Sequence, residues 1–319
     1  MAGLILRRLG QTVPVIIGAS ILSFLLLNLL PGNVAIAILG ANATPSSIRV
    51  VENQLNLNHP LIERYFQWVW SALHGDLGTS FVTHESVLTT VFARVPVSLE
   101  LVIGTLTVAL VLAIPTALLS VKWRGRFLDR LGTLVTVFGL SVPNFVVALV
   151  LVLAFSVKIH LFPASGFVPI SQSIGGNLQS VALPVFSMSF VFFGTYARLL
   201  RADMLQQLDS EEYVTLARAK GLGEWRILIR QVFKNSSFGL IVIAGTNFGQ
   251  LVGTTVVIET IFALPGIGQL LITSIGNRDA PMVQGIVIIL GIVVVLSNLV
   301  SDILYSTIDP RVHYGNSTA

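Results

Sequence analysis

Long apolar blocks alternate with short charged segments along this chain of 319 residues. A helix needs about 20 residues to cross the hydrocarbon core of a bilayer, and six of the blocks reach that length. We predict membrane spans at approximately residues 9–30, 97–121, 131–157, 178–197, 236–258 and 280–301. An even number of spans places both termini on the same side of the membrane.

The composition agrees with this pattern. Hydrophobic residues make up 54% of the chain and charged residues only 11%, whereas soluble domains carry about 25% charged residues. The apolar blocks have the length of membrane-spanning helices. The sequence therefore predicts an all-α polytopic membrane protein, with one transmembrane domain over residues 1–319.

The first block has a competing interpretation as a secretory signal peptide. Arg7 and Arg8 precede it, and small residues follow at positions 41–43. The apolar core of a signal peptide spans roughly 7 to 15 residues, and this block is longer. We therefore favour a retained first span.

The distribution of lysine and arginine predicts that both termini are cytoplasmic. In that orientation 14 of the 19 basic residues lie on the inner side, as the positive-inside rule requires. Residues 31–96 then form a long extracytoplasmic loop, and residues 198–235 form a cytoplasmic loop. The basic character of the chain reflects its topology and contact with anionic lipid, and it gives no support for nucleic-acid binding.

The cytoplasmic loop has the pattern of a helix, a tight turn and a second helix. It contains no proline, and good helix formers are interrupted at Gly221 and Gly223. Residues 209–212, with sequence DSEE, resemble a helix start with a capping residue and acids in the first turn. We expect one of the loop helices to begin there.

A small-residue face is predicted on that helix. Ala217 and Gly221 are four residues apart and would share one helix face that has almost no side chain. Flanked by Arg218 and Lys220, such a face suits docking into a groove of another protein. An amphipathic helix that lies on the inner leaflet is the alternative that these residues leave open.

Six short motifs occur in order along nearly the whole chain. They are PGN at 31–33, GDLGTS at 75–80, SVPNF at 141–145, YVTLARAKGL at 213–222, ETIFALPGIG at 259–268 and DPR at 309–311. Together they resemble the motifs of permease subunits of peptide-type ABC importers, in the dipeptide, oligopeptide and nickel group. Residues 213–222 resemble the EAA loop of that family, and the chain is identified as similar to its B-type subunit.

The resemblance implies the architecture of a type I ABC importer permease, in which the EAA segment is a coupling helix that fits a groove on a cytoplasmic ATPase subunit. The ATPase-coupling residues that it implies are Glu212, Thr215, Ala217, Arg218, Ala219, Lys220 and Gly221. Where the general consensus has Glu-Ala-Ala, this chain has Thr215, Leu216 and Ala217. Glu212 is a candidate for the polar contact by its proximity alone.

The same resemblance implies the partners and the location. A second, homologous permease would complete a heterodimer, with two ABC ATPase subunits or one fused ATPase, an extracytoplasmic substrate-binding protein and the bacterial inner membrane around them. We expect the loop at 31–96 to dock the binding protein, and a folded lid over the outer mouth is the alternative. The expected cargo is dipeptides or oligopeptides, with nickel, glutathione or haem as alternatives.

Catalytic chemistry is not expected in this chain. The sequence has no G-x-x-x-x-G-K-[ST] phosphate loop, no cysteine, and five histidines without metal-ligand spacing. We therefore expect no cofactor in this chain, with ATP and Mg bound by the partner ATPase subunits.

Polar residues within the predicted spans are candidates for a translocation path, because lipid offers them no hydrogen-bond partners. The set consists of Ser141, Asn144, Asn247, Gln250 and Thr254. For any one of them, a hydrogen bond between helices is the commoner role. Gly245, Gly249 and Gly253 recur every four residues in the fifth span, which indicates a packing face.

Two other function classes remain open. A stand-alone secondary transporter could also have six spans and a polar interior, but it should carry ionisable groups at the span centres, where this sequence has none. A structural or receptor-like membrane protein would leave the EAA-like loop without a role.

Overall fold

The computed structural model describes residues 2–29, 34–39, 43–54 and 58–308. The helices, in chain order, are α1 Ala2–Leu29, α2 Val34–Leu39, α3 Pro45–Gln54, α4 Leu61–Leu73, α5 Val87–Lys122, α6 Phe127–Ser141, α7 Asn144–Leu151, α8 Ile174–Ser210, α9 Glu212–Ala219, α10 Glu224–Ile227, α11 Lys234–Ile261, α12 Ile267–Gly276 and α13 Ala280–Ile308. Two π-helical segments, Val152–Lys158 and Leu228–Phe233, continue α7 and α10. The predicted all-α fold class is confirmed.

Four helical stretches among the described residues are long and apolar enough to cross a membrane. They are Val87–Lys122, Ile174–Ser210, Glu224–Ile261 and Ala280–Ser301. A fifth candidate consists of Phe127–Ser141 and Asn144–Lys158, which have the combined length and hydropathy of one span. The prediction of a polytopic membrane protein is confirmed, and the count of six spans stays a prediction.

The predicted third span, at 131–157, is broken instead of straight. Its two helical halves meet at an angle of 103°. Val142 between them is extended, with ψ of 123°. Proline disfavours helical backbone in the residue before it, so Pro143 accounts for the break.

The helices are longer than the predicted spans, and the excess is large in α5 and α8. Helix α5 has 36 residues and α8 has 37, so each extends over about 54 Å at 1.5 Å per residue. The hydrocarbon core is only about 30 Å thick. Part of each helix must therefore project from the membrane, and the segment at 198–235 begins as a continuation of α8.

Contacts within the chain divide it into two compact units, residues 1–98 with 265–295 and residues 99–264 with 296–319. The prediction of a single transmembrane domain stays a prediction. The first unit has a buried apolar cluster formed by Leu77, Val87, Val91, Ile267, Met282, Ile286 and Ile289. This cluster packs the start of α5 against α12 and α13.

A buried carboxylate joins two distant segments of the same unit. Asp279, only 3% exposed, precedes α13 and accepts hydrogen bonds from the Ser80 hydroxyl and, at 3.1 Å, from the Phe81 backbone N–H. Ser80 is the last residue of the GDLGTS motif. The contact joins segments that are 199 residues apart in the sequence.

In the second unit, α8 is the most buried of the spanning helices, and α6 crosses it at a pair of glycines. A Cβ atom on Gly139 would lie 2.8 Å from the Phe190 carbonyl oxygen, and one on Gly194 would lie 2.7 Å from the Thr136 carbonyl oxygen. Both distances are too short for a carbon atom. The two backbones can approach this closely only because neither residue has a side chain.

Replacing Gly139 with valine is therefore expected to destabilise the second unit by about 1–3 kcal/mol, because α6 must move away from α8. Thermal unfolding of the detergent-purified protein measures this loss. Gly239→Ala in α11 is the matched control, since a Cβ there meets nothing within 4 Å and alanine favours a helix. Equal midpoints for the two variants would contradict the close crossing.

Candidate functional site

Helix α9 is the helix predicted for coupling. A break at Glu211, whose backbone is extended with ψ of 126°, separates it from α8. Glu212 lies in its first turn, where a negative charge stabilises the N-terminus. The helix thus begins inside the predicted stretch 209–212, but no side chain caps it, and the Asp209 carboxylate binds Arg124 instead.

Gly221 ends α9 in a Schellman motif. Its φ is +73°, in the left-handed region that favours glycine. The Leu222 N–H donates to the Ala217 carbonyl at 3.2 Å, and the Gly221 N–H donates to the Arg218 carbonyl at 2.9 Å. The backbone itself therefore requires glycine at this position.

The shared face expected for Ala217 and Gly221 does not form. Ala217 is 3% exposed and faces the interior of this chain, together with Val214. Gly221 lies beyond the end of α9, so the i, i+4 relation of a continuous helix does not apply to it. The remaining predicted coupling residues are exposed, namely Glu212, Thr215, Arg218, Ala219 and Lys220.

The exposed face of α9 also contains a leucine that the sequence analysis did not select. Leu216 is 57% exposed, and Trp225, three residues beyond the helix-ending turn, is 41% exposed. Val214 and Ala217 define the buried face by their i, i+3 spacing, which places Leu216 outside it. The i, i+3 spacing of these two apolar residues was the signal in the sequence that could have identified Leu216 as exposed.

The turn between α5 and α6 contacts the segment that follows α9. The Lys122 ammonium forms an ion pair with the Glu224 carboxylate and lies 5.7 Å from the centre of the Trp225 ring. Trp123 meets Trp225 edge to face, with the ring centres 5.9 Å apart. A cavity of about 170 Å³ lies among α5, the end of α8 and this segment.

The same turn contacts the segment that precedes α9. Arg124 Nη1 donates to both carboxylate oxygens of Asp209, at 3.0 and 2.8 Å. In the first turn of α6, the buried Asp129 carboxylate accepts hydrogen bonds from Arg201 Nε at 2.8 Å and Nη2 at 3.0 Å, and from the Gly125 N–H at 2.9 Å. Residues on both sides of α9 are thus held by one turn.

The candidate pathway residues fall into two groups. Asn247, Gln250 and Thr254 are spaced by three and four residues and share one face of α11. Within that group Gln250 is exposed, and the Asn247 amide donates to the Tyr196 hydroxyl at 3.3 Å. Part of the set is therefore engaged in hydrogen bonds between helices.

Ser141 and Asn144 form the second group, on either side of the break between α6 and α7. The Ser141 hydroxyl donates to the Val137 carbonyl at 2.9 Å, and Asn144 Oδ1 accepts from the Phe145 N–H at 2.9 Å. Helix α7 packs against α11. The two groups consequently lie on neighbouring helices. Among the described residues, no hydrogen bond joins a side chain of one group to a side chain of the other.

The three glycines of α11 do not share one partner. A Cβ on Gly245 would lie 2.7 Å from Ser301 Oγ, so that glycine packs against α13. Gly249 is buried, whereas Gly253 is exposed and has no atom within 4 Å of a built Cβ. The motifs at 31–33 and 309–311 lie outside the described residues.

Comparison with protein families gives two matches that together cover almost the whole chain. The family described as binding-protein-dependent transport system inner membrane component matches residues 87–314. The corresponding N-terminal family of such transport-system membrane components matches residues 1–102.

Relatives of similar length support these matches. A protein of Brucella suis biovar 1 (strain 1330), named as a peptide transport system permease protein, is 38% identical over 98% of this chain and 100% of its own length. A protein of Escherichia coli K12, named as a D,D-dipeptide transport system permease protein, is 34% identical over 97% of both chains. The glutathione transport system permease protein GsiC of Escherichia coli O6:H1 is 31% identical over 98% of this chain and 100% of its own.

The fold is also similar to that of a solved structure. It is a crystal structure of an amino acid ABC transporter with histidines, with a TM-score of 0.51 over 70% of this chain and 95% of that chain. The sequence identity is 14%, so the likeness concerns the fold alone.

Proposed function

The chain belongs to the family of binding-protein-dependent transport system inner membrane components, and we propose that it forms one half of the membrane path of an ATP-driven peptide importer. As a permease subunit of an ABC transport system, it acts with ATPase and substrate-binding partners. The relatives named for peptides and dipeptides support the proposed cargo.

The arrangement around α9 is the observation that carries this proposal. A short helix with an exposed leucine lies between the ends of α8 and α11, two helices long enough to cross the membrane. A partner that accommodates α9 in a groove would bury Leu216 and contact Glu212, Thr215 and Ala219 around it. Movement of that partner would reach α8 and α11 directly through the backbone.

The proposed orientation places α9 in the cytoplasm, with the N- and C-termini on the same side and the loop at 31–96 outside. The excess of basic residues around α9 and at the turn between α5 and α6 supports this side. ATP and Mg would then be bound by cytoplasmic ATPase subunits, and this chain would carry no catalytic residue. A heterodimer with a second permease would close the pathway.

The proposed translocation path uses the polar face of α11 and the break between α6 and α7. Gln250 is exposed on an apolar spanning helix, where contact with lipid would leave its amide without partners. A water-filled path or a second permease would supply those partners. The break at Pro143 also interrupts the regular backbone hydrogen bonding of a straight helix.

Glutathione is the second candidate cargo, because GsiC is named for glutathione transport. Nickel and haem are further candidates that only the sequence resemblance suggests. The binding protein selects among such cargoes, so its ligand decides between them. A stand-alone secondary transporter is the competing class.

Purification of the tagged chain from its native membrane tests this proposal. We expect a second permease, ATPase subunits and a binding protein to co-purify in mild detergent, and mass spectrometry of the ligand released from the binding protein identifies the cargo. Reconstituted complex should accumulate that ligand only with ATP and the binding protein. Ligand accumulation by the chain alone, driven by an ion gradient, would favour the secondary transporter and contradict the proposal.

A further inference from the structure

The turn that joins α5 to α6 holds the chain on both sides of α9. We use the term clasp for its residues Lys122, Trp123 and Arg124. Arg124 binds Asp209 in the last turn of α8, just before α9. Lys122 binds Glu224, just after the turn that ends α9.

The clasp has two arms, the Arg124–Asp209 pair and the Lys122–Glu224 pair. Aromatic contacts accompany the second arm. Trp225 receives the edge-to-face contact of Trp123 and the cation of Lys122 over its ring. Aromatic and cation contacts of this kind are directional. They define where residues 224 and 225 lie relative to the end of α5.

The clasp itself is fixed to the helix bundle by a buried ion pair. Asp129, 6% exposed, receives a bidentate contact from Arg201 of α8 and the Gly125 N–H of the turn. Bidentate arginine–carboxylate pairs have a defined geometry. The base of the turn is therefore held against α8, and the two acids that its arms contact, Asp209 and Glu224, are solvent-exposed.

The exposure of the arms indicates what they contribute. In the Arg124–Asp209 pair both side chains are more than half exposed, and in the second pair Glu224 is 72% exposed while Lys122 is 20% exposed. Exposed ion pairs add little to folding stability. These pairs lie on both sides of one short helix and connect it to α5 and α6, which it does not adjoin in sequence.

We propose that the clasp is a positioning element that transmits movement of α9 to α5 and α6. This inference rests on the proposed function, in which an ATPase moves α9. Without the clasp, α9 would reach α5 and α6 only indirectly, through its covalent neighbour α8, against which α6 packs. With it, the rigid-body movement includes the helices on both sides of the turn at 122–126.

The natural chain has no cysteine, so single introduced cysteines report the movement of individual helices. Ala93→Cys and Thr260→Cys place exposed thiols on α5 and α11, each near the helix end farther from the clasp. The reaction rate of each thiol with a membrane-impermeant maleimide is measured in the purified complex, with and without ATP and vanadate. Trapping should change both rates about fivefold or more.

Lys122→Glu is expected to weaken the ATP-dependent change at Ala93→Cys several-fold and to preserve the change at Thr260→Cys. The charge exchange Lys122→Glu with Glu224→Lys should restore the change at Ala93→Cys, because it recreates the ion pair. Trp123→Leu should weaken that change without altering charge. Co-purification of the ATPase subunits shows in each case that the complex has assembled.

Three results would overturn the proposal. They are an unchanged response at Ala93→Cys in Lys122→Glu, an equal loss at both reporter sites, and a failure of the charge exchange to restore the response. If no ATPase co-purifies with the chain of natural clasp sequence, or neither reporter responds to ATP there, the proposed function fails first. The reporter on α11 thus separates failure of the clasp from failure of the importer.

Discussion

Replacing Leu216 with aspartate is expected to reduce ATP-driven transport roughly 30-fold, which corresponds to about 2 kcal/mol of docking free energy. Leu216 is 57% exposed at the centre of α9, so its apolar surface is available to a partner groove. Burial of a leucine contributes about 1.5–3 kcal/mol, and an unpaired carboxylate in the same groove would be unfavourable. The amount of ATPase subunit that co-purifies per tagged chain and the uptake of the binding-protein ligand measure the effect.

Two control variants separate docking from helix stability. Leu216→Met keeps an apolar side chain of similar volume and should cost less than about 1.5 kcal/mol. Ser210→Asp adds the same charge at an exposed position before α9 and should leave transport nearly unchanged. Normal co-purification and uptake in Leu216→Asp would exclude Leu216 from the ATPase contact.

Replacing Asp279 with alanine is expected to destabilise the first unit by about 3 kcal/mol. The substitution leaves the buried Ser80 hydroxyl and the Phe81 N–H without their acceptor, and hydrogen bonds to charged groups contribute about 1.5–3 kcal/mol each. It also removes a negative charge from the N-terminus of α13. The unfolding midpoint of the detergent-purified protein should fall by roughly 6–12 °C.

Asp76→Ala is the matched control for this change. Asp76 belongs to the GDLGTS motif and accepts a hydrogen bond from the Gly78 N–H at 2.8 Å, but it is exposed. Loss of an exposed contact should lower the free energy of unfolding by no more than about 0.5–1 kcal/mol. A larger loss in Asp76→Ala than in Asp279→Ala would show that the motif acts through its exposed acid instead of through Ser80.

The contrast between Asp76 and Asp279 shows that a sequence motif does not identify the distant residue that binds it. The sequence drew attention to residues 75–80, yet the carboxylate that binds this segment lies 199 residues from Ser80 and outside any of the six motifs. Gly221 is a similar case. Its absence of a side chain suggested a docking face, whereas its φ of +73° shows that the turn ending α9 requires glycine.

Local hydropathy was sufficient for the long helices. The blocks at 97–121, 178–197, 236–258 and 280–301 all lie within helices α5, α8, α11 and α13, because an apolar run of spanning length must satisfy its backbone internally in lipid. The same reasoning missed the break at Val142 and Pro143. The hydropathy of a block predicts the length and polarity of a helix, but it does not predict a change in the direction of the helix axis.

The sequence by itself determined that this chain is a helical membrane protein of the permease family, because both hydropathy and the ordered motifs are properties of neighbouring residues. The tertiary structure alone decided which side of α9 is exposed, because it buries Ala217 and leaves Leu216 accessible. It also decided the pairs Lys122–Glu224 and Asp129–Arg201, whose members are 102 and 72 residues apart. Such contacts depend on how helices pack, and no local pattern of residues specifies them.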